Sequence, residues 1–216
     1  MRWVKVVAVV ALLGGATWAD DKERTVKFSK EDVGKVPAGW KAAQTGKGAS
    51  VWKVVADDTA PSKTGFALAQ TTDDRNALFN LCVAEEPRLK EVEAMVSFKA
   101  VKGEKDQGGG LVWRYQDANN YYVARMNPLE DNFRVYKVVD GKRSKEFQST
   151  DVKVSAGEWH TLKIKHVGDH IECFLDGKKR LDVKDDSINK EGKVGLWTKA
   201  DAQTHFDQFT VKEEGK

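Results

Sequence analysis

Residues 108–127, GGGLVWRYQDANNYYVARMN, decide the fold class of this chain. They predict two strands joined by a turn at residues 117–120, because large apolar side chains recur at every second position. Leu111, Trp113 and Tyr115 alternate with Val112 and Arg114, and Tyr122, Ala124 and Met126 alternate with Tyr121, Val123, Arg125 and Asn127. An antiparallel sheet buries one such face and leaves the other free to meet solvent or a ligand. The three preceding glycines let the backbone bend or lie close to a neighbour.

Similar short runs fill the rest of the chain, and none shows a helical period over ten or more residues. An edge strand is expected within residues 26–40. The other candidate strands are 51–56, 67–70, 78–83, 92–99, 109–115, 121–127, 132–139, 145–149, 158–166, 170–175, 178–183, 193–198 and 205–211. Asp140-Gly141 and Asp176-Gly177 are the strongest hairpin signals. The pattern predicts an all-β, two-sheet antiparallel β-sandwich of the jelly-roll type.

Residues 1–19 are predicted to be an export signal. Arg2 and Lys5 precede an apolar run at 6–13, and Thr17-Trp18-Ala19 offers a small-x-small cleavage site before Asp20. The run is shorter than the ~20 residues of a membrane span, although a retained N-terminal anchor is the alternative. We therefore expect a secreted or periplasmic protein in which residues 20–216 form a single β-sandwich domain.

The charge of the chain argues against a nucleic-acid partner. Loss of Arg2 and Lys5 lowers the formal net charge from +3 to +1, whereas nucleic-acid binding needs a clustered basic face. No later segment has the composition of a membrane span, so no membrane contact is expected after signal removal. The sequence carries no signal of oligomeric state.

The two cysteines, Cys82 and Cys173, could form a disulfide in an oxidising compartment. Strand parity argues against it: if Phe79, Leu81 and Val83 fill the core, Cys82 points outward while Cys173 points inward. Two buried or half-buried free thiols are the other interpretation. Trp113 and Trp159 lie in alternating apolar runs, and both are predicted to be core residues.

A set of polar and aromatic side chains is predicted to share the outward face of one sheet. Guanidinium and amide groups donate hydrogen bonds to sugar hydroxyls or a carboxylate, and an indole packs on the apolar face of a pyranose. A solvated face covered by long side chains is the alternative. Arg125 and Trp197 are expected to serve the ligand and not the fold. The predicted ligand-binding residues are Asn80, Arg114, Arg125, Asn127, Arg134, Tyr136 and Trp197.

The loop at residues 128–132 places Glu130 and Asp131 between two of these strands. Three roles are open to its carboxylates: binding a divalent cation, acting as catalytic acid and base, or pairing with Arg125 and Arg134. His166 and His170 flank a short turn and could face each other, but zinc normally takes at least three protein ligands and the sequence shows no third. No metal site or certain cofactor is therefore predicted.

From residue 108 onward the order of short motifs resembles a known family. Gly157-Glu158-Trp159-His160, Leu175-Asp176-Gly177-Lys178, Gly195-Leu196-Trp197 and Phe206-Asp207-Gln208-Phe209 follow the opening hairpin. This order is similar to the concanavalin-A-like lectin/glucanase superfold in its laminin-G-like branch, and more closely to the bacterial 3-keto-disaccharide hydrolase domains. The Glu-x-Asp-x-x-Glu motif of the retaining glucanases is absent, which argues against their carboxylate-pair mechanism.

Two functions follow as hypotheses. In the first, the chain is an exported carbohydrate-binding domain that recognises a glycan or small saccharide on an open sheet face. In the second, the resemblance implies a hydrolase or lyase acting on 3-keto-glycosides. The matching motifs are structural and assign no catalytic residue, so the base is taken from the residues alone: Glu130 or Asp131, with an arginine or a bound metal to polarise the ketone. The 3-keto group acidifies the neighbouring C2 proton, so elimination needs one base and one electrophile.

Overall fold

The computed structural model describes residues 23–76 and 79–215. The predicted export signal lies outside these residues. Within them the chain forms one 3-10 turn, Lys30–Asp32, and sixteen strands. The strands are β1 Arg24–Val26, β2 Trp40–Thr45, β3 Trp52–Ala56, β4 Phe66–Gln70, β5 Phe79–Ala84, β6 Val92–Lys102, β7 Gly109–Asp117, β8 Asn120–Asn127, β9 Asn132–Val139, β10 Lys142–Arg143, β11 Gln148–Asp151, β12 Trp159–Val167, β13 His170–Leu175, β14 Lys178–Lys184, β15 Lys193–Lys199 and β16 Gln203–Glu213.

The strands form two antiparallel sheets of eight strands each, which pack as a sandwich. Sheet I has the order β14-β13-β12-β6-β16-β4-β3, with β1 added beside β16. Sheet II has the order β10-β9-β8-β7-β15-β5-β2, with β11 added beside β9. The predicted fold class is confirmed.

The main core lies between the inner faces of the sheets, where the period-two pattern places it. Leu111 and Trp113 of β7 and Tyr122, Ala124 and Met126 of β8 all belong to it, as the opening hairpin predicts. The indole of Trp113 is fully buried and stacks on Tyr122 with ring centroids 5.5 Å apart. This contact joins the two strands of the hairpin inside the core.

Glycine is required at position 110 by the close approach of β8. A Cβ atom at Gly110 would overlap the carbonyl oxygen of Ala124. The two predicted Asp-Gly hairpins are also present, because Asp140, Gly141, Asp176 and Gly177 all have positive φ.

The strand predictions fail in four places. Residues 27–39 form no edge strand, and β2, which starts at Trp40, was not predicted. The short strand β10, Lys142–Arg143, was also not predicted. The run at 145–149 is displaced to Gln148–Asp151. The charged and polar residues of that run carry no alternating apolar signal, so its boundaries were weakly determined.

Both cysteines are free thiols buried in the main core. Of the two interpretations left open by the sequence, the structure shows the buried free thiols, but the parity argument is wrong, since Cys82 points inward like Cys173. Phe79, Leu81 and Val83 face the other side of sheet II, where a second apolar cluster lies. Because β5 is apolar on both faces, its sequence does not reveal which face is inner.

The predicted core position of Trp159 is wrong. Trp159 lies half-buried on the outer face of sheet I, where its indole donates to the Thr59 hydroxyl at 2.9 Å and the Lys99 ammonium sits 5.1 Å from the ring centroid. Lys99 in turn contacts the buried Asp57 carboxylate, which also pairs with His205 at 2.7 Å. These hydrogen bonds and ion pairs attach the loop between β3 and β4 to the outer face of sheet I.

The described residues form no helix that is long and apolar enough to cross a membrane.

Candidate functional site

The outer face of sheet II, called the concave face below, collects most of the predicted ligand-binding residues. Across the middle of the sheet, strand register places one outward residue per strand in a row. The row is Arg134, Arg125, Gly110, Trp197, Leu81 and Ala43. Residues distant in sequence therefore share one surface.

The face is concave because sheet II curls strongly. The Thr45 hydroxyl of β2 contacts the carbonyl of Ala118 and lies 2.8 Å from the Tyr121 hydroxyl. In a flat sheet β2 and β8, four positions apart, would be separated by about 19 Å. The bend coincides with an irregularity in β7 that follows Trp113, where Arg114 has a φ of 44°.

The apolar half of the concave face is a second hydrophobic cluster. Its buried members are Leu81, Val83, Val112, Tyr121, Val123, Tyr136, Val138 and Trp197. The Trp197 ring packs 5.4 Å from Phe79 and 6.2 Å from Tyr136, and the residue is 1% exposed. Parity thus predicted the correct face for Trp197, but the expectation that it stands open and serves only a ligand is wrong.

Two buried polar atoms of this cluster point into the concave face. Neither the Tyr136 hydroxyl nor the Trp197 indole nitrogen has a hydrogen bond of good geometry within the described residues, although Arg143 lies beside the hydroxyl and the Tyr121 side chain lies beside the indole. A buried donor without a partner costs about 1–3 kcal/mol. A ligand can pair with these two groups only where the side chains that cover them move aside.

The polar half of the concave face is organised around Arg125. Its guanidinium donates to the Asn132 side-chain oxygen and to the Glu130 carboxylate, each at 2.8 Å. Arg134, directly opposite on β9, lies 3.7 Å from the same carboxylate. Arg125 is 3% exposed, so the expectation that it contributes nothing to the fold is wrong. The pairing interpretation of Glu130 with both arginines is the one that the structure shows.

The charge state of Glu130 follows from these contacts. Burial alone would raise the pKa of Glu130, but Arg125, with help from Asn132 and Arg134, outweighs it and holds the pKa below its ordinary value. Glu130 is therefore a carboxylate that is strongly held and weakly basic. Asp131 has positive φ in the adjacent turn and lies 3.7 Å from Lys153, away from Arg125's hydrogen bonds.

Asp106 is a site residue that sequence reasoning missed. Its side chain accepts from Asn127 at 3.0 Å and from Lys199 at 2.7 Å, and the residue is 2% exposed. Burial raises the pKa of Asp106, and the hydrogen bond from Lys199 offsets only part of that effect. A carboxyl group with a raised pKa beside a cation is a common feature of acid-base sites.

The position of Asp106 depends on Asp201, a residue 95 positions away. The Asp201 carboxylate accepts the backbone N–H groups of Glu104, Lys105 and Asp106 at 3.0–3.1 Å. A small cavity of about 130 Å³ lies beside this loop, lined by charged side chains that include Arg75 and Asp201. It is smaller than the ~300 Å³ at which ligand pockets begin, so it does not compete with the concave face as a saccharide site.

Two predicted site residues lie elsewhere. Asn80 faces the interior and donates to the Thr198 hydroxyl and the Ala200 carbonyl, both at 3.1 Å. Arg114 is fully buried and donates to three backbone carbonyls, those of Lys90, Ile188 and Gly168, at 2.8–3.1 Å. The irregularity in β7 turns Arg114 away from the concave face, which parity cannot foresee.

The histidine pair is also corrected. His166 points into the core, where Trp113 donates to its Nδ1 at 2.9 Å, whereas His170 points to the outer face of sheet I. His170 has Glu172 and Asp182 as neighbours, so a three-residue donor set exists that the sequence did not reveal, with its atoms within 4.8 Å of one another. The Lys179 ammonium already binds both carboxylates, at 2.9 and 2.7 Å. The Lys179 ammonium is therefore the cation that pairs with the carboxylates of this set.

The buried His166 predicts acid sensitivity. Burial, reinforced by the charge of Arg114, lowers the pKa of His166 to about 3, against an ordinary value near 6.5. Its contribution to stability is complete above pH 6.5 and is lost as the pH falls toward 3, because the unfolded chain binds a proton that the folded chain excludes. Denaturant unfolding between pH 7 and 4 should show stability falling by a few kcal/mol. His166→Gln should make the slope shallower, and an unchanged slope would contradict the assignment.

The chain was compared with known proteins. A family model described as a 3-keto-alpha-glucoside-1,2-lyase-like domain matches residues 29–212. This confirms the resemblance seen in the order of motifs. The comparison with curated proteins gave no significant match.

Solved structures share the fold at low sequence identity. The carbohydrate-binding module CBM66 from Bacillus subtilis has a TM-score of 0.66 at 20% identity, covering 87% of this chain and 100% of that one. A Bacillus subtilis protein of unknown function with a galectin-like fold has a TM-score of 0.60 at 10% identity, covering 88% and 98%. The VIP36 exoplasmic/lumenal domain in its Ca²⁺/Man3GlcNAc-bound form has a TM-score of 0.56 at 13% identity, covering 82% and 84%. At these identities the likeness establishes the fold alone.

Proposed function

Because the chain belongs to the 3-keto-alpha-glucoside-1,2-lyase-like domain family, we propose that it is a carbohydrate-binding β-sandwich whose saccharide site is the concave face. The observation that carries the proposal is the pair of buried, unpartnered donors, Tyr136 Oη and Trp197 Nε1, within a face that also holds Arg125 and Asn127. Sugar hydroxyls can accept from such donors and remove the cost of burying them.

The two halves of the face suit the two sides of a pyranose ring. The apolar C–H surface of the sugar would lie toward the cluster that contains Trp197 and Tyr136, whose rings are themselves almost fully buried. At the polar half, Glu130, Arg134 and Lys199 are the accessible rim, with side chains 40%, 28% and 24% exposed. Similar folds include a carbohydrate-binding module and a domain solved with Man3GlcNAc, and both support the assignment.

Export belongs to the same proposal. The first 19 residues have the pattern of a signal peptide, so we place the domain outside the cytoplasm, where it can meet glycans. Intact-mass analysis of protein recovered from the producing cell would show a chain beginning at Asp20. A chain that retains residues 1–19 would contradict export with cleavage.

Tyr136→Phe is the sharpest test of binding. It removes one hydroxyl that has no partner among the described residues, so stability should be unchanged or slightly higher. Loss of a hydrogen bond to the sugar should weaken affinity about three- to tenfold. Calorimetric titration with cellobiose, sucrose and trehalose, and with their 3-keto derivatives, measures this.

Tyr121→Phe is the matched control, because the Tyr121 hydroxyl already pairs with Thr45 at 2.8 Å. This variant should lose stability and keep its affinity. Unchanged affinity in Tyr136→Phe, alongside weakened affinity in Tyr121→Phe, would contradict the proposed site.

A lyase is the second candidate function, favoured by the raised pKa of Asp106 beside the Lys199 ammonium. In a 3-keto-glycoside, Asp106 would take the C2 proton, and the C–H electron pair would form an enolate that Lys199 stabilises. Expulsion of the C1 oxygen substituent, which then takes up a proton, would leave a C1–C2 double bond. We place the base at Asp106 and not at Glu130 or Asp131, because Arg125 holds Glu130 in its weakly basic form.

The same titrations separate the two functions. If the wild-type protein releases the leaving sugar from a 3-keto-disaccharide, and Asp106→Asn abolishes this release, the protein is a lyase. Binding without release would leave the domain a binding module.

A further inference from the structure

The concave face holds an arrangement of charge that neutral sugar binding does not require. Arg125 and Arg134 are directly opposite each other on β8 and β9. Like charges at directly opposed positions destabilise an antiparallel pair. The Glu130 carboxylate, at 2.8 Å from Arg125 and 3.7 Å from Arg134, relieves part of this repulsion.

A third arginine joins this pair from the neighbouring strand. The Arg143 guanidinium of β10 lies over the Tyr136 ring, 5.2 Å from its centroid. Tyr136 and Arg134 are two residues apart on one strand and so face the same side. Arg143 is exposed and forms no ion pair with any described residue.

The surrounding carboxylates do not balance the three arginines. Glu130 pairs mainly with Arg125. Arg134 donates to the Ser149 hydroxyl through its Nε atom alone, at 3.3 Å. Glu146 is the other nearby carboxylate; a hydrogen bond from its own backbone lowers its pKa most, and the charges of Arg134 and Arg143 add to that effect. Asp106 is neutralised separately by Lys199. One positive charge remains in excess, on side chains that solvent can reach.

We propose that the saccharide bound on the concave face carries an anionic group, a carboxylate or a sulfate ester, which Arg134 and Arg143 hold. This inference rests on the proposed function and adds the chemical class of its ligand. Guanidinium groups bind both anions through paired, charge-assisted hydrogen bonds. The Tyr136 ring beneath Arg143 orients that guanidinium, since a cation over an aromatic face is attracted to it. The neutral part of the sugar then lies toward the Tyr136 hydroxyl and the Trp197 indole nitrogen.

The experiment has two stages. An oligosaccharide array carries neutral, uronic-acid and sulfate-ester members with the same linkages, and it shows whether neutral or anionic sugars bind. Comparison of its uronic-acid and sulfate-ester members shows whether the anionic group is a carboxylate or a sulfate ester. Calorimetric titration then compares cellobiose with cellobiouronic acid and cellobiose 6′-sulfate at low and high salt. We expect at least tenfold tighter binding of one anionic form, weakening as salt is raised.

Arg143→Ala should remove most of that preference while leaving neutral-sugar affinity in place, and Arg134→Ala should remove the same preference for the anionic form. Arg180→Ala, which removes an exposed arginine of β14 on sheet I, is the matched control and should change nothing. Equal binding of neutral and anionic sugars, with sensitivity to Tyr136→Phe retained, would overturn this inference and leave the proposed function standing. Failure of every glycan on the array to bind would overturn both.

Discussion

Trp113→Ala is expected to lower the free energy of unfolding by about 3–5 kcal/mol, the cost typical of truncating a fully buried aromatic residue. Trp113 is completely buried, stacks on Tyr122 and donates to His166 Nδ1 at 2.9 Å. The truncation therefore leaves a cavity and also deprives a buried imidazole of its hydrogen bond. Denaturant unfolding followed by circular dichroism measures the loss.

Trp159→Ala is the matched control for Trp113→Ala. Trp159 is half-buried on the outer face of sheet I, where its removal costs the hydrogen bond to Thr59 and the contact with Lys99. Its cost should be clearly smaller, since solvent can fill the space that the ring leaves. Equal losses for the two variants would contradict the assignment of Trp113 to the core and Trp159 to the surface.

Arg114→Met is expected to cost a similar amount, about 3–5 kcal/mol, as when one partner of a buried ion pair is removed. The fully buried Arg114 satisfies the carbonyls of Lys90, Ile188 and Gly168 and lies 3.8 Å from the Glu91 carboxylate. Methionine fills a similar volume but donates nothing, so three carbonyls lose the donors that Arg114 supplies. The Glu91 carboxylate loses its nearby cation and keeps the Gly168 N–H, at 2.6 Å.

Arg114→Lys should recover only part of the loss, because a single ammonium cannot reproduce the spread of the guanidinium donors. Arg134→Met, at a position that is 28% exposed, should cost much less. Urea unfolding of the three variants gives the comparison. An unchanged midpoint in Arg114→Met would show that Arg114 does not join these loops.

The fold could be predicted from the sequence because its signals are local. Alternation in β7 and β8 and the Asp-Gly turns at 140–141 and 176–177 each depend on neighbours within a few residues. The alternation of side chains failed to predict the direction of a residue where its sequence neighbours do not determine that direction. One case is Arg114, where an irregularity in β7 turns the side chain, and the other is β5, whose inner face belongs to the main core and whose outer face belongs to the second apolar cluster.

The candidate site could be predicted in part for the same reason. Arg125, Asn127, Arg134, Tyr136 and Trp197 belong to regular strand segments, and parity placed them on the correct face. The near-complete burial of Tyr136 and Trp197 was not predicted, since it depends on contacts between strands that are distant in the sequence, such as the contact of Thr45 with Ala118. The place of Asp106 in the site could not be predicted from the sequence, because Asp106 belongs to a loop held by Asp201. Such a contact leaves no periodic signal in the sequence.

Under the proposed function, a saccharide binds on the concave face of sheet II. The most direct measurement is a ¹H–¹⁵N NMR titration with the best-binding oligosaccharide of the array, following the tryptophan indole resonances and the backbone amides. We expect the Trp197 indole and the amides of Arg125 and Arg134 to shift saturably, while the Trp159 indole and the amides of β13 and β14 stay in place. Saturable shifts at Trp159 and along sheet I, with Trp197, Arg125 and Arg134 unmoved, would contradict it.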